Sequence, residues 1–276
     1  MLVLVAGATG NIGQKRLASL LRRGHQVRAL ARSPPRPSPP PPPASSSASC
    51  RAPRTTTSPP STPPARARVF VAASWNADWR RQALGDHESY DAYHCVRRLA
   101  ALSCTLRPHY VLSGILAEVL FSAPGRVSFA PENHGVWDAE GRRVEVWGDP
   151  ACRWQWTSEA DAAEFAAAIV EREDAAEGGF WTVCSGYDTL EDIARVYGQV
   201  RGTTVEVERV GSVEELREKA LAGRARSHPT TMWDYIGYFY VLFIVDGTWR
   251  PGPFDNEKLG VKGTSLEEYL KQNPDI

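Results

Sequence analysis

The tightest constraint in this chain lies in its first thirteen residues. An apolar run, Leu2-Val3-Leu4-Val5-Ala6, ends in Gly7, Gly10 and Gly13 at Gly-x-x-Gly-x-x-Gly spacing, and a helix-like stretch, Gln14 to Arg23, follows at once. A strand that breaks into glycines and restarts as a helix gathers unpaired N–H groups and the positive end of a helix dipole at one point. That point suits a pyrophosphate. Gly10 and Gly13 let the phosphates and the strand approach with no Cβ in the way. Glycine triplets also arise from turn geometry alone, but here the strand before and the helix after supply the context the motif requires. The expected dinucleotide contacts are Gly7, Thr9, Gly10, Asn11, Ile12 and Gly13.

Gly24 closes the first helix, and His25-Gln-Val-Arg-Ala-Leu-Ala31 alternates like a second strand. About 20 residues beyond the glycines, an acid would hold a ribose 2′-hydroxyl and an arginine a 2′-phosphate. Arg32 stands there with Arg28 before it and no acid nearby, which favours NADP(H) over NAD(H) as cofactor.

Residues 33–67 break this pattern. All 35 positions are Pro, Ser, Ala, Thr, Arg or Cys, and 13 of the chain's 21 prolines fall here. Nothing large and apolar is available to bury, and proline cannot donate to a ladder or a helix interior, so the segment predicts a solvated, partly polyproline-II excursion. Its alphabet is also that of a GC-rich coding region read out of frame, since Pro, Ser, Ala and Thr share codons with C at the middle position. Sequencing the transcript tests that origin. Either way, the segment offers no crossover helix or strand, and the next strand candidate is Arg68-Val-Phe-Val-Ala-Ala-Ser74.

With 276 residues the chain suits one domain, here 1–276 interrupted by 33–67. Thirty-two basic residues balance 32 acidic ones, so no general field draws nucleic acid or anionic lipid. The five cysteines are widely spaced with no C-x-x-C pair, and the six histidines lack ligand spacing, so neither disulfides nor a metal are expected. No signal peptide or membrane span is expected, and the cytoplasm is the default location.

Gly7 to Gly13, followed by Val27-Arg-Ala-Leu-Ala-Arg32, resemble the NmrA-like and isoflavone-reductase-like branch of the short-chain dehydrogenase/reductase superfamily. The similarity resumes at Val69-Phe-Val-Ala-Ala-Ser-Trp-Asn76, Gly114-Ile-Leu-Ala-Glu118 and Thr157-Ser-Glu-Ala-Asp-Ala-Ala-Glu164. The resemblance implies an α/β, Rossmann-type doubly wound parallel sheet and a smaller C-terminal α+β region, approximately 115–276, on the substrate side. In that fold the stretch at 33–67 would hold the third and fourth strands, so one or two strands are expected to be missing. It also implies an NADP(H)-dependent oxidoreductase acting on a small carbonyl or enone compound. The alternative is a non-catalytic NAD(P)-binding sensor acting through a protein partner.

Reductases of the superfamily use Tyr-x-x-x-Lys with a serine. Here Tyr93-His-Cys-Val-Arg97 has the spacing with arginine for lysine, and Ser74 ends a predicted strand. Ser74, Tyr93 and Arg97 are the catalytic candidates, and Tyr90-x-x-x-His94 is a competing alignment. An arginine cation can favour a phenolate, but its planar fork does not replace an ammonium one for one. Trp75 and Asn76 follow a strand's carboxyl end, where open α/β sheets bind ligands, and are the substrate-side candidates.

In the second half, Gly135-Val-Trp-Asp138 and Arg143-Val-Glu-Val-Trp147 predict a hairpin. Thr157 or Ser158, with Asp161 behind, predicts the cap of an alanine-rich helix to about Glu171. Strands are expected at 180–184 and 205–210, and helices at 190–198, 213–222 and from Ser265. The aromatic stretch Met232 to Phe243 suits either an apolar pocket lining or a helix buried in the core.

Overall fold

The computed structural model describes residues 1–30, 69–102 and 107–276. Arg32 and the proline-rich segment 33–67 lie outside the described residues. The chain opens with β1 (Leu2–Ala6), α1 (Asn11–Arg22) and β2 (Gln26–Leu30), and β1 and β2 pair in parallel. After β3 (Phe70–Val71) come α2 (Asp91–Ala101) and β4 (Pro108–Leu112). Over the described residues the strand expected at 68–74 is shorter, because beyond the Val71–His109 pair the backbone ladder to β4 keeps only the Ala72 N–H bond to His109 O, and Ser74 meets β4 through its side chain. Ser74 N–H already turns back to Ala72 O.

The chain then passes through β5 (Ile115–Leu116), the single turn α3 (Ala117–Leu120), β6 (Trp137–Asp138), β7 (Arg143–Trp147) and β8 (Arg153–Thr157). β6 and β7 form the predicted hairpin. Ser158 caps α4 (Glu159–Glu171) by accepting the Asp161 N–H, the role its sequence context predicted. β9 (Gly179–Thr182), β10 (Gly186–Thr189), α5 (Leu190–Arg201), β11 (Glu206–Gly211) and α6 (Val213–Arg226) follow. Last come α7 (Ile236–Val245), α8 (Asn256–Leu259) and α9 (Leu266–Gln272), the last opening on a Ser265–Glu268 capping box.

Parallel pairing recurs in β5–β8 and β7–β11, but the strands nearest the glycine turn form two separate parallel blocks, β1–β2 and β3–β4–β9, and among the described residues no ladder joins these two. The bridge between them is α4. Its Phe165 and Ile169 pack with Val111 and Val183 at the second block, while Ala167 and Val170 pack with Val5 and Leu20 at the first. A helix buried on two sides needs small residues on both, which explains five alanines in seven positions between Ala162 and Ala168. Ion pairs add to this join: Arg22 and Arg23 meet Glu164, and Arg23 and His25 meet Glu171. The other face of the first block is uncovered among the described residues, with Leu2, Leu4 and Leu30 54%, 63% and 57% exposed. The largest buried cluster instead lies beyond residue 115, around Phe121, Trp137, Trp154, Trp156, Ile193 and Leu216. No helix among the described residues is long and apolar enough to cross a membrane.

Candidate functional site

Gly7 turns the chain out of β1 at φ +71°, and its carbonyl accepts Gly10 N–H at 3.0 Å. A Cβ on Gly13 would stand 2.1 Å from Gly7 O, so only glycine lets α1 start this close to the turn. A Cβ on Gly10 would make an ordinary 3.4 Å contact. Gly10 is the N-cap of α1 and brings no side-chain oxygen, so the first N–H groups of the helix, on Asn11, Ile12 and Gly13, are left for an external acceptor. Thr9, Gly10 and Asn11 are exposed around that point. The turn and helix start thus fit a diphosphate. Arg32, the expected 2′-phosphate contact, lies outside the described residues.

The next turn of α1 reaches across to a large cleft. The Arg16 guanidinium lies 5.4 Å from the centre of the Trp75 ring, and Lys15 Nζ bonds Glu118 and Glu159 at 3.2 and 2.8 Å. Burial lowers the Arg16 pKa, and its Nε has no hydrogen-bond partner among the described residues. Trp75 lines the cleft, of about 750 Å³, which opens at the carboxyl ends of β3 and β4. Its other walls come from Gly114–Leu116, from Arg153 and Gln155 of β8, from Ile236, Tyr240 and Ile244 of α7, and from Trp249. Here the stretch 232–243 serves both expectations at once: Phe239, Val241 and Leu242 face the core while Ile236, Gly237 and Tyr240 face the cleft.

Close backbone approach builds the floor. Gly114, at φ +67°, sits where a Cβ would stand 2.1 Å from Gln155 O. Gln155 Nε2 donates to Leu112 O and Val183 O, at 2.9 and 2.8 Å, pinning β4 and the end of β9 to β8.

Asn76 and Trp75, the substrate-side candidates, both line the cleft. Asn76 Nδ2 donates to Tyr93 Oη at 2.7 Å. Burial raises the Tyr93 pKa, which the Asn76 bond only partly offsets, so the phenol stays protonated at neutral pH. Arg97 is exposed, its guanidinium 5.1 Å from the Phe180 ring and 6.0 Å from that of Trp79, and its charge acts on Tyr110 rather than on Tyr93. The Ser74 hydroxyl is fully buried, accepts Val111 N–H at 2.9 Å and lies 3.4 Å from Val111 O. In the competing alignment, Tyr90 Oη accepts Ala77 N–H at 3.4 Å and the His94 ring meets Trp79 edge-on. The structure therefore brings Trp75, Asn76 and Tyr93 together and spreads Ser74 and Arg97 to either side.

Sequence reasoning missed Gln155 and Trp249 as cleft residues, whereas Tyr90 stood in the competing alignment and Tyr240 in the aromatic stretch 232–243 offered as a pocket lining. Cys152 also lines the cleft, its thiol pKa raised by burial.

No family model matches this chain, and no curated protein matches it. Solved structures do. Isoflavone reductase aligns at 14% identity over 98% of both chains, with a TM-score of 0.65. The binary complex of leucoanthocyanidin reductase with NADPH from Vitis vinifera aligns at 14% identity over 99% of both, TM-score 0.66. AtPrR2 with NADP+ and (+)pinoresinol aligns at 13% identity over 98% of this chain and 97% of that one, TM-score 0.64. The fold is the Rossmann-type fold of these proteins. In it the glycine turn follows the carboxyl end of β1, and the cleft opens at the carboxyl ends of β3 and β4. The neighbours are of the isoflavone-reductase kind that the sequence segments resemble.

Proposed function

We propose that this chain is an NADP(H)-dependent oxidoreductase acting on a small, partly aromatic carbonyl or enone compound. The observation that carries the reading is the junction at α1. Its first turn presents free N–H groups above the glycines, and its second turn touches Trp75 and Glu118 at the cleft. A dinucleotide held at the first would extend toward the second. The neighbours solved with NADPH, and with NADP+ and (+)pinoresinol, support the same pairing of cofactor and ring-bearing ligand.

In this reading the free N–H groups of Asn11, Ile12 and Gly13 and the helix dipole hold the diphosphate, Thr9 lies beside it, Gly7 and Gly10 shape the turn with their own N–H groups bonded to Leu30 O and Gly7 O, and Arg32 meets the 2′-phosphate. When bound, the dinucleotide supplies a hydride equivalent. Trp75 and the aromatic walls stack the substrate and exclude water. Asn76 orients its polar end, itself held by the protonated Tyr93 hydroxyl. Ser74 is a positioning residue, clamping the Trp75–Asn76 loop to β4 through Val111, and Arg97 keeps α2 seated on Trp79 and Phe180.

Calorimetric titration with NADPH and NADH, together with NADPH oxidation against a panel of aromatic ketones and enones, tests this reading. Preferential NADPH binding with turnover of at least one enone is expected. NADPH binding without turnover points instead to a sensor, and no binding of either dinucleotide overturns the reading.

A further inference from the structure

His87 is 1% exposed and ringed by Tyr90, Phe239, Tyr240, Phe243 and Trp249, with ring centroids 4.5–6.4 Å away. Its Nδ1 lies 3.0 Å from Ser89 Oγ, which lies 2.9 Å from Tyr240 Oη. Its Nε2 is buried with no hydrogen-bond partner among the described residues. A chain of three polar groups thus runs from a sealed aromatic box to the wall of the cleft.

The unpartnered nitrogen fixes the direction of that chain. Burial, reinforced by the Arg224 charge, drops the His87 pKa to about 3, so the ring is neutral and carries one proton. A proton on Nε2 would bury an N–H donor with nothing to receive it, whereas a proton on Nδ1 leaves only a lone pair unmet, the less costly orphan. Nδ1–H therefore donates to Ser89 Oγ, and Ser89 donates to Tyr240 Oη. With that acceptor position filled, the Tyr240 proton needs an acceptor elsewhere. Ser89 is its sole hydrogen-bond partner among the described residues, and Tyr240 lines the cleft.

We propose that Tyr240 presents its hydroxyl proton to the cleft as the donor that selects a ligand carbonyl oxygen, with Ser89 and His87 as positioning residues that hold it in the donor sense. The proposal rests on the cleft being the substrate site and is independent of the cofactor. A site built to donate to an oxygen discriminates against the same skeleton lacking it. The ligand class is a ring-bearing compound with a carbonyl beside the rings.

The test compares chalcone with 1,3-diphenylpropene, which differ by C=O against CH2, by quenching of tryptophan fluorescence in the wild-type protein, Tyr240→Phe and Ser89→Ala. The chalcone-to-diphenylpropene affinity ratio is expected to fall about tenfold in Tyr240→Phe, the loss of one well-aligned hydrogen bond, while diphenylpropene affinity is unchanged. Ser89→Ala releases the hydroxyl rotor and lowers the ratio by a smaller factor. Imidazole 15N signals in the wild-type protein should place the His87 proton on Nδ1. An unchanged ratio in Tyr240→Phe, or the proton on Nε2, overturns this proposal alone. Binding of neither compound overturns it together with the substrate-cleft reading.

Discussion

At Gly13 a single hydrogen decides whether the glycine turn can exist. A methyl group there would stand 2.1 Å from Gly7 O, a backbone atom that cannot rotate away. Gly13→Ala should push α1 off the turn and cost about 2 kcal/mol, within the usual range for overpacking, measured by urea unfolding. It should also abolish NADPH binding in a calorimeter, whereas Gly10→Ala, with only a 3.4 Å contact, should keep the stability and lose only the binding. Wild-type affinity in Gly13→Ala would refute the cradle. This steric demand was legible in the sequence because it is local: three glycines in seven residues act on one turn. The residues around Tyr240 were not. Ser89 and Tyr240 meet across 151 residues of chain, and no spacing rule connects them. Tyr93 and Arg97 had the right spacing, yet the ring stacking of Arg97 on Phe180 takes its charge elsewhere.

Where α1, α3 and α4 meet, two buried carboxylates are held in opposite ways. Burial opposes the ionisation of Glu159, but hydrogen bonds from Arg126, at 2.7 and 2.8 Å, and from Lys15 outweigh it and hold its pKa below the usual carboxylate range. Burial wins at Glu118 and raises its pKa, despite Lys15 and the Glu159 N–H. The signs therefore differ. Glu159 adds stability that is complete above the unfolded pKa, about 4.3, and is lost as pH falls through its lower folded value. Ionised Glu118 withdraws stability as pH rises from the unfolded pKa through its raised folded one. Glu159→Gln should cost about 2 kcal/mol at pH 7, because Arg126 loses its carboxylate and Lys15 one of two. Glu118→Gln should instead gain stability there, because the amide removes a carboxylate whose ionisation burial opposes. Glu118→Gln should converge on the wild type as pH falls below about 4, and Glu159→Gln only once pH has fallen through the lower folded value of Glu159, followed by urea unfolding at stepped pH. A Glu118→Gln loss as large as that of Glu159→Gln at pH 7 would contradict this assignment. The elements themselves were legible wherever a local device defines them, such as the Ser158 cap of α4 and the Ser265–Glu268 box of α9. β3 was over-read because an apolar run marks a strand candidate, while the length of a strand is set by its partner.

Across the whole molecule, the expected Rossmann-type sheet is present as parallel blocks among the described residues, while the expectation of missing strands at 33–67 falls outside them. The sequence could not say what holds the blocks together, since α4 does this with residues that look like an ordinary alanine-rich helix. The first block depends on α4 packing and on exposed ion pairs, which salt screens. Amide hydrogen exchange should therefore release β1 and β2 well before β4 and β9, and the gap should widen at 1 M salt. Simultaneous exchange of both blocks would refute this. The uncovered face of the first block gives the join a further meaning. A cradle docked on α4 and β3 binds only while that docking holds, so its apparent affinity equals the intrinsic one multiplied by the docked fraction. Glu164→Ala with Glu171→Ala, on the far side of α1 from the glycines, would then weaken dinucleotide binding without removing a single contact to it, and the affinity of this protein becomes a gauge of how often its first thirty residues let go.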